Sequence, residues 1–239
     1  MKLQSRHRIM LKSLFATTVN CNSNSIRISE CLKPYMFYET PFRHAVISEL
    51  FSKDLFSALS GSIENYLSQA NNIARLNRTW STNSMIASKK GKDPALTFKV
   101  HQFYKLGISP FLGHLLLRSF SSVIPSLLQT YNCKRLSSSY YPQAFFNFTP
   151  PNFSFGIHDD TPAKSWTLAY NIYPTANKGT MLYTPNKELS RVCDWNLNTG
   201  VAFAPESKVS WHSYENPSST EYRVNLIINI MRRDSFAIG

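Results

Sequence analysis

The stretch Phe155-Gly156-Ile157-His158-Asp159-Asp160-Thr161-Pro162 decides how this chain reads. Its aromatic and β-branched start marks an extended segment, and Pro162 closes it. In an extended chain residues i and i+2 point to the same face, so His158 and Asp160 converge while Asp159 turns away. Should the strand end one residue early, Asp159 takes that place. One imidazole and one carboxylate on one face offer two ligands to a metal. H-x-D by itself is a common triplet, so its weight depends on a third ligand elsewhere in the chain.

Downstream, Val209-Ser210-Trp211-His212-Ser213 places a second histidine at the end of a predicted short strand, followed by turn-like residues from Tyr214 to Ser219. Two histidines and one carboxylate on a β scaffold form the facial set of non-haem Fe(II) sites, which leave coordination positions open. Eleven residues after His212 comes Arg223, which opens the apolar run Val224-Asn225-Leu226-Ile227-Ile228-Asn229-Ile230. An arginine at the head of a buried strand is costly unless it meets an anion, and its planar fork matches a carboxylate.

The ordered set His158, Asp160, His212 and Arg223 resembles the 2-oxoglutarate- and Fe(II)-dependent dioxygenases, in the branch similar to prolyl hydroxylases. The likeness covers about residues 136–233, with Trp166–Tyr173, the Gly-containing Lys178–Tyr183 and Gly200–Pro205 in the places of the intervening strands; residues 43–66 resemble the family's N-terminal helix. The resemblance implies a double-stranded β-helix, or jelly roll, with Fe(II) as metal and 2-oxoglutarate as cosubstrate. It implies that His158, Asp160 and His212 hold the metal. Arg223 would pair with the cosubstrate's 5-carboxylate, with Tyr141, Asn171 and Asn225 as further contacts. Asn225 stands where some relatives have Ser or Thr. The implied reaction consumes dioxygen, releases succinate and CO2, and oxidises an unactivated C–H bond, usually by hydroxylation.

The chain as a whole divides at Cys133. Residues 133–239 hold short aromatic and β-branched runs between Pro, Gly and Asn, with strands expected at 140–147, 153–158, 166–173, 180–183, 200–203, 208–211 and 222–231. Before Cys133 the spacing predicts helices over Pro41–Leu67, with Ser52 as an internal start, and over Pro110–Tyr131. Thr97–Phe103 alternates like a strand, and the polar stretch 73–95, with Lys89-Lys90-Gly91-Lys92, reads as a loop. The fold class expected is α+β, mainly β: a jelly-roll core over 133–239, helical support over 31–132, together one oxygenase domain (31–239), and a basic flexible arm at 1–30.

The 239 residues carry 26 Lys plus Arg against 14 Asp plus Glu, a formal charge of +12. Residues 1–132 supply 16 − 6 = +10 of it and residues 133–239 only 10 − 8 = +2. The excess therefore lies outside the predicted core, where it suits acidic partners, nucleic acid among them. With 43% hydrophobic and 13% aromatic residues the chain can bury a core, which excludes a disordered tail or a histone-like polycation. No uninterrupted apolar run nears the ~18 residues of a membrane span, so no membrane partner is expected. Four cysteines without a CxxC pair fit a reducing, cytoplasmic setting, although the acid-free start can also read as an organelle transit peptide.

His7, His44, His101 and His114 lack partners at ligand spacing, and Trp166, Trp195 and Trp211 read as packing residues or pocket lining. Two other classes compete with the oxygenase. One is a non-catalytic, basic jelly-roll binding module; the other is a metalloenzyme without cosubstrate, such as a zinc hydrolase, which would leave Arg223 without a task. The substrate is an organic molecule or a peptide side chain that the sequence does not name.

Overall fold

The protein is described by a computed structural model covering residues 37–89, 94–134 and 137–233; the predicted arm at 1–30 and most of the Lys89–Lys92 run lie outside these residues. Two antiparallel sheets face each other. The larger has the order β1 (His44–Ser48), β8 (Thr199–Phe203), β5 (Lys164–Tyr173), β10 (Arg223–Arg232), β3 (Tyr140–Thr149) and β2 (Thr97–Lys99). The smaller has the order β4 (Phe153–His158), β9 (His212–Asn216), β6 (Met181–Tyr183) and β7 (Leu189–Val192). This is a mainly β jelly roll braced by helices.

Strand alternation splits the larger sheet into two chemically distinct faces. From β10, Val224, Leu226, Ile228 and Ile230 enter the main core together with Trp166, Leu168, Tyr170 and Ile172 of β5 and Ala144, Phe146 and Phe148 of β3. Each such side chain contributes about 1.5–3 kcal/mol by leaving water. Helices α1 (Lys53–Leu67) and α3 (Pro110–Thr130), with a 3-10 helix at Val100–Leu106, cover this face. The opposite face carries Arg223, Asn225, Ile227 and Asn229 of β10 beside Thr167, Ala169 and Asn171 of β5. That face looks toward the smaller sheet, and polar residues buried there need partners or a ligand.

Helix α3 has the length and apolarity to cross a membrane, but Leu112, Leu116, Phe120, Ile124 and Leu127 are buried in the core, so it is accounted for as a core helix. Ser109 caps its start, accepting from Phe111 N at 3.3 Å, and Pro110 occupies its first turn.

Several local expectations are corrected. Pro41–Leu67 is not one helix: residues 44–48 form β1, paired from His44↔Phe203 to Ser48↔Thr199, and α1 starts only after the Ser52 cap. Val46 and Leu50 matched a helical period by coincidence, whereas an edge to β8 was available to satisfy the backbone. The expected loop at 73–95 is mostly helix α2 (Ala70–Lys89). Its polar composition hid it, because Leu76 is its one buried residue, with Ile73 and Trp80 packed partly against the core. The expected strand 97–103 ends at Lys99, where the 3-10 helix begins and runs to a left-handed Gly107 (φ 73°). The expected strand 208–211 is a turn, and His212 begins β9 instead of ending its predecessor. Strand β7, exposed and short, carried no readable pattern.

Candidate metal centre

His158, Asp160 and His212 bring one donor atom each within 4.8 Å of one another. His158 ends β4 and His212 begins β9, and the two residues are paired across the sheet with ring centroids 4.2 Å apart. Asp160 lies just past β4, its residue 5% exposed, and its side chain returns to the same point. Asp159 turns the other way, accepting from Lys208 N at 2.8 Å and from Ser207 Oγ at 3.4 Å. The i, i+2 geometry thus separates the two neighbouring carboxylates.

Both imidazoles are oriented in the same manner. Nδ1 of His158 lies 2.9 Å from Gly156 O, and Nδ1 of His212 lies 2.9 Å from Ser210 O. A carbonyl only accepts, so Nδ1 carries a proton in each ring, and in the neutral form of the ring Nε2 is the nitrogen that keeps its lone pair. Burial, with a smaller contribution from the His158 charge, pushes His212 down to about 4 despite Asp160, so it is neutral near pH 7. Burial alone would raise Asp160, but the charges of Lys164, His212 and His158 outweigh it and hold the carboxyl below its ordinary value. Lys164 Nζ donates to Asp160 Oδ1 in a short ion pair.

Arg223, 1% exposed, is a buried charge on the face of the larger sheet that looks toward the smaller one. Its guanidinium carbon lies 4.8 Å from the ring centroids of both Trp195 and Tyr214. Among the described residues its Nε has no hydrogen-bond partner and no carboxylate lies within ion-pair distance. Burial lowers Arg223 to about 10, against the charges of Tyr214 and Glu215, leaving it cationic near pH 7. A buried fork with an open donor is a site made for an anion that the described residues do not themselves provide.

Asn225, two residues from Arg223 on the same face, donates from Nδ2 to Asn171 Oδ1 at 3.0 Å and to Tyr170 O at 3.3 Å, and Asn171 donates to Asn196 O at 3.2 Å. Both asparagines therefore lie beside Arg223 but within a network of their own. Tyr141 is not brought to Arg223. The β3–β10 register sets Arg223 opposite Thr149 and Tyr141 opposite Met231, roughly 26 Å away along the strand, where Tyr141 meets Arg233 instead. The aromatic hydroxyl beside Arg223 belongs to Tyr214, whose OH accepts from Asn147 Nδ2 at 3.2 Å. Tyr214 was readable as His212+2 on one strand face, had 214 been assigned to the strand. Trp166 and Trp211 lie elsewhere: Trp166 packs with Phe120 and Tyr131 in the core, and Trp211 meets Lys187.

A cavity of about 290 Å³ opens on the three metal-ligand candidates, walled by Phe145, Phe155, Phe203 and Ile227, with Asn147, Thr180 and Tyr214 as polar points.

No family model matches the chain, and no curated protein matches its sequence. Solved structures do match its fold. A Pseudomonas putida prolyl-4-hydroxylase superposes with a TM-score of 0.51 at 12% identity, covering 80% of this chain and 92% of that one. A Trichoplax adhaerens prolyl hydroxylase, solved with a peptide fragment of the hypoxia inducible factor oxygen degradation domain, gives 0.51 at 12% over 94% and 96%. A rice dioxygenase for auxin oxidation gives 0.52 at 10% over 90% and 79%.

The fold is that of the prolyl-hydroxylase-like 2-oxoglutarate oxygenases.

The residues of this 2-oxoglutarate oxygenase fold suit the groups such a fold implies. Two imidazoles that each hold Nδ1 on a backbone carbonyl and turn Nε2 to the same point as a carboxylate match a divalent cation, and the Lys164 ammonium on Asp160 marks the spot as one that draws positive charge. Arg223, with its open Nε, matches the far carboxylate of a dicarboxylate cosubstrate.

Proposed function

We propose that this chain is an Fe(II)- and 2-oxoglutarate-dependent oxygenase that hydroxylates an unactivated C–H bond of an organic substrate. The observation that carries the reading is the joint placement of His158, Asp160 and His212 within 4.8 Å and of a buried Arg223 on the facing sheet, against Tyr214 two residues from His212. A zinc hydrolase would leave that arginine without a task.

His158, Asp160 and His212 would hold the iron, and Arg223 would pair with the 5-carboxylate of 2-oxoglutarate. The iron, when bound, supplies activation of dioxygen coupled to loss of CO2 from the cosubstrate. The chain supplies the rest. Gly156 and Ser210 carbonyls fix the imidazole tautomers, so both rings meet the metal without rearrangement. Trp195 and Tyr214 shield the Arg223 guanidinium from water, which strengthens its pairing with a carboxylate. Asn171 and Asn225, hydrogen-bonded to each other one alternation step along from Arg223, would hold β5 and β10 in register beside it. The walls of Phe145, Phe155, Phe203 and Ile227 keep the reacting centre dry.

The test is turnover of purified protein with Fe(II), 2-oxoglutarate and air, following succinate by mass spectrometry. Succinate release by the wild type and its loss in His212→Ala support the reading; release undiminished in His212→Ala refutes it.

A further inference from the structure

The three metal-ligand candidates come from two strands whose pairing slips where they meet. β4 and β9 keep a regular register from Phe153↔Asn216 to Phe155↔Tyr214, and the register shifts before His158 reaches His212. A slipped ladder re-aims the side chains beside it, so the position of His212 depends on the turn that leads into β9.

That turn, residues 206–211, is closed on itself. Glu206 O accepts from Val209 N at 3.2 Å, from Ser210 N at 3.0 Å and from Ser210 Oγ at 3.0 Å, and Glu206 N donates to Ser210 Oγ at 2.9 Å. Ser210 is fully buried, and its carbonyl is the one that holds His212 Nδ1. The turn also contains a strained residue. Lys208 has φ 60°, in the left-handed region that a lysine rarely adopts. It is the N–H of this residue that donates to Asp159 Oδ2 at 2.8 Å, with Ser207 Oγ donating to the same oxygen at 3.4 Å. A carboxylate on a backbone N–H makes a charge-assisted bond, and here it holds a conformation that the local chain disfavours. Two successive carboxylates therefore leave β4 for different ends. Asp160 turns to the point shared with the histidines, while Asp159, on the opposite face, grips the turn that delivers the third ligand.

Resting on the reading of His158, Asp160 and His212 as an iron site, we propose that Asp159 is a positioning residue: its carboxylate locks the turn 206–211 to the end of β4 and so presets His212 toward the point that His158 and Asp160 share. Metal then meets three ligands already in place, and the two halves of the site move as one.

Two measurements on the full chain separate this from the reading beneath it. The first is Co(II) affinity, followed by d–d absorption, in the wild type, Asp159→Asn, Asp159→Ala and the double variant Asp159→Ala/Lys208→Gly. Asp159→Ala removes no metal ligand, yet it should weaken Co(II) about tenfold, as loss of a group that orients a ligand does. Asp159→Asn keeps an oxygen for Lys208 N and should stay within about threefold of wild type, as an intact orienting bond requires. The double variant should regain most of the affinity lost in Asp159→Ala, because glycine takes a φ near 60° without being held there. Equal Co(II) affinity in the wild type and Asp159→Ala overturns the proposal with the iron-site reading intact. So does an Asp159→Asn as weak as Asp159→Ala, which would assign the effect to charge, or a double variant no better than Asp159→Ala, which would assign it to general loss of structure. No Co(II) binding in the wild type defeats both readings. The second measurement needs no variant to fold. Hydrogen exchange by NMR in the metal-free wild type should find the Lys208 amide slowed at least about tenfold relative to the unfolded chain, and an unprotected amide overturns the proposal.

Discussion

The guanidinium of Arg223 lies 4.8 Å from the ring centroid of Tyr214, and Tyr214 stands two residues along β9 from His212. One strand therefore joins the metal-ligand candidates to the anion site, with the Tyr214 ring stacked 5.0 Å from Phe155 between them. The separation of the two sites is set by β-strand geometry, not by a loop, and a rigid spacing of this kind selects a ligand of matching length.

Replacing Arg223 by Met should weaken 2-oxoglutarate binding about ten- to a hundredfold, the loss expected for ~1.5–3 kcal/mol of charge-assisted hydrogen bonding. Fe(II) affinity should change far less. Calorimetry on both ligands checks this, and a parallel loss of iron and cosubstrate would make Arg223 a structural residue. Tyr214→Phe removes only the hydroxyl that accepts from Asn147, and a smaller weakening of 2-oxoglutarate alone is expected.

Gly179 sits where a Cβ would come 1.8 Å from the carbonyl oxygen of Cys193, and backbone cannot yield there as a flexible side chain could. Gly179→Ala is expected to destabilise by at least about 1–3 kcal/mol, the usual cost of overpacking. Since Thr180 lines the cavity, cosubstrate binding should suffer too. A denaturant midpoint equal to wild type would show that this close approach relaxes freely.

On the helix-covered face, Leu226→Ala should cost about 2–5 kcal/mol through lost burial and the cavity left behind. The residue is fully buried at the centre of β10, between Phe146 and Tyr170 in register. Urea unfolding measures this loss, and a cost under about 1 kcal/mol would mean that the core collapses around the gap.

His44 supplies a pH dependence remote from the metal centre. Its Nδ1 bonds Phe42 O at 2.8 Å, Nε2 is buried with no hydrogen-bond partner among the described residues, and burial together with Arg191 lowers its pKa against the pull of the Phe42 carbonyl and Glu39. The unfolded chain takes up this proton near the ordinary 6.5 while the fold resists it to lower pH. Stability is therefore kept above that value and declines as pH falls below it. The fall in unfolding free energy between about pH 7.5 and 5.5 should be smaller in His44→Gln than in the wild type, and equal falls would contradict the assignment.

Much of the candidate site was legible because it depends on alternation alone. His158 and Asp160 share a face and Asp159 leaves it whatever the rest of the chain does, and Arg223 at the head of an apolar strand signals an anion by cost. What alternation cannot supply is long-range register. Tyr141 was the wrong aromatic to set beside Arg223 because only the pairing of Arg223 with Thr149 fixes which end of β3 arrives there. The fold was legible where burial is continuous, as in β5, β10 and α3. It was illegible in α2, whose polar turns are held by a few anchors, and in β1, whose period fits helix and strand equally. Lys164 escaped notice since nothing local ties it to Asp160 until the turn after β4 is folded.

Whether the space between the two sheets holds both metal and cosubstrate is decided by anaerobic titration with Fe(II) and then 2-oxoglutarate, watching the visible metal-to-ligand charge-transfer band. The wild type should develop the band, His212→Ala should fail to, and Arg223→Met should reach it only at much higher 2-oxoglutarate. No band in the wild type, or an undiminished band in His212→Ala, would refute a shared site.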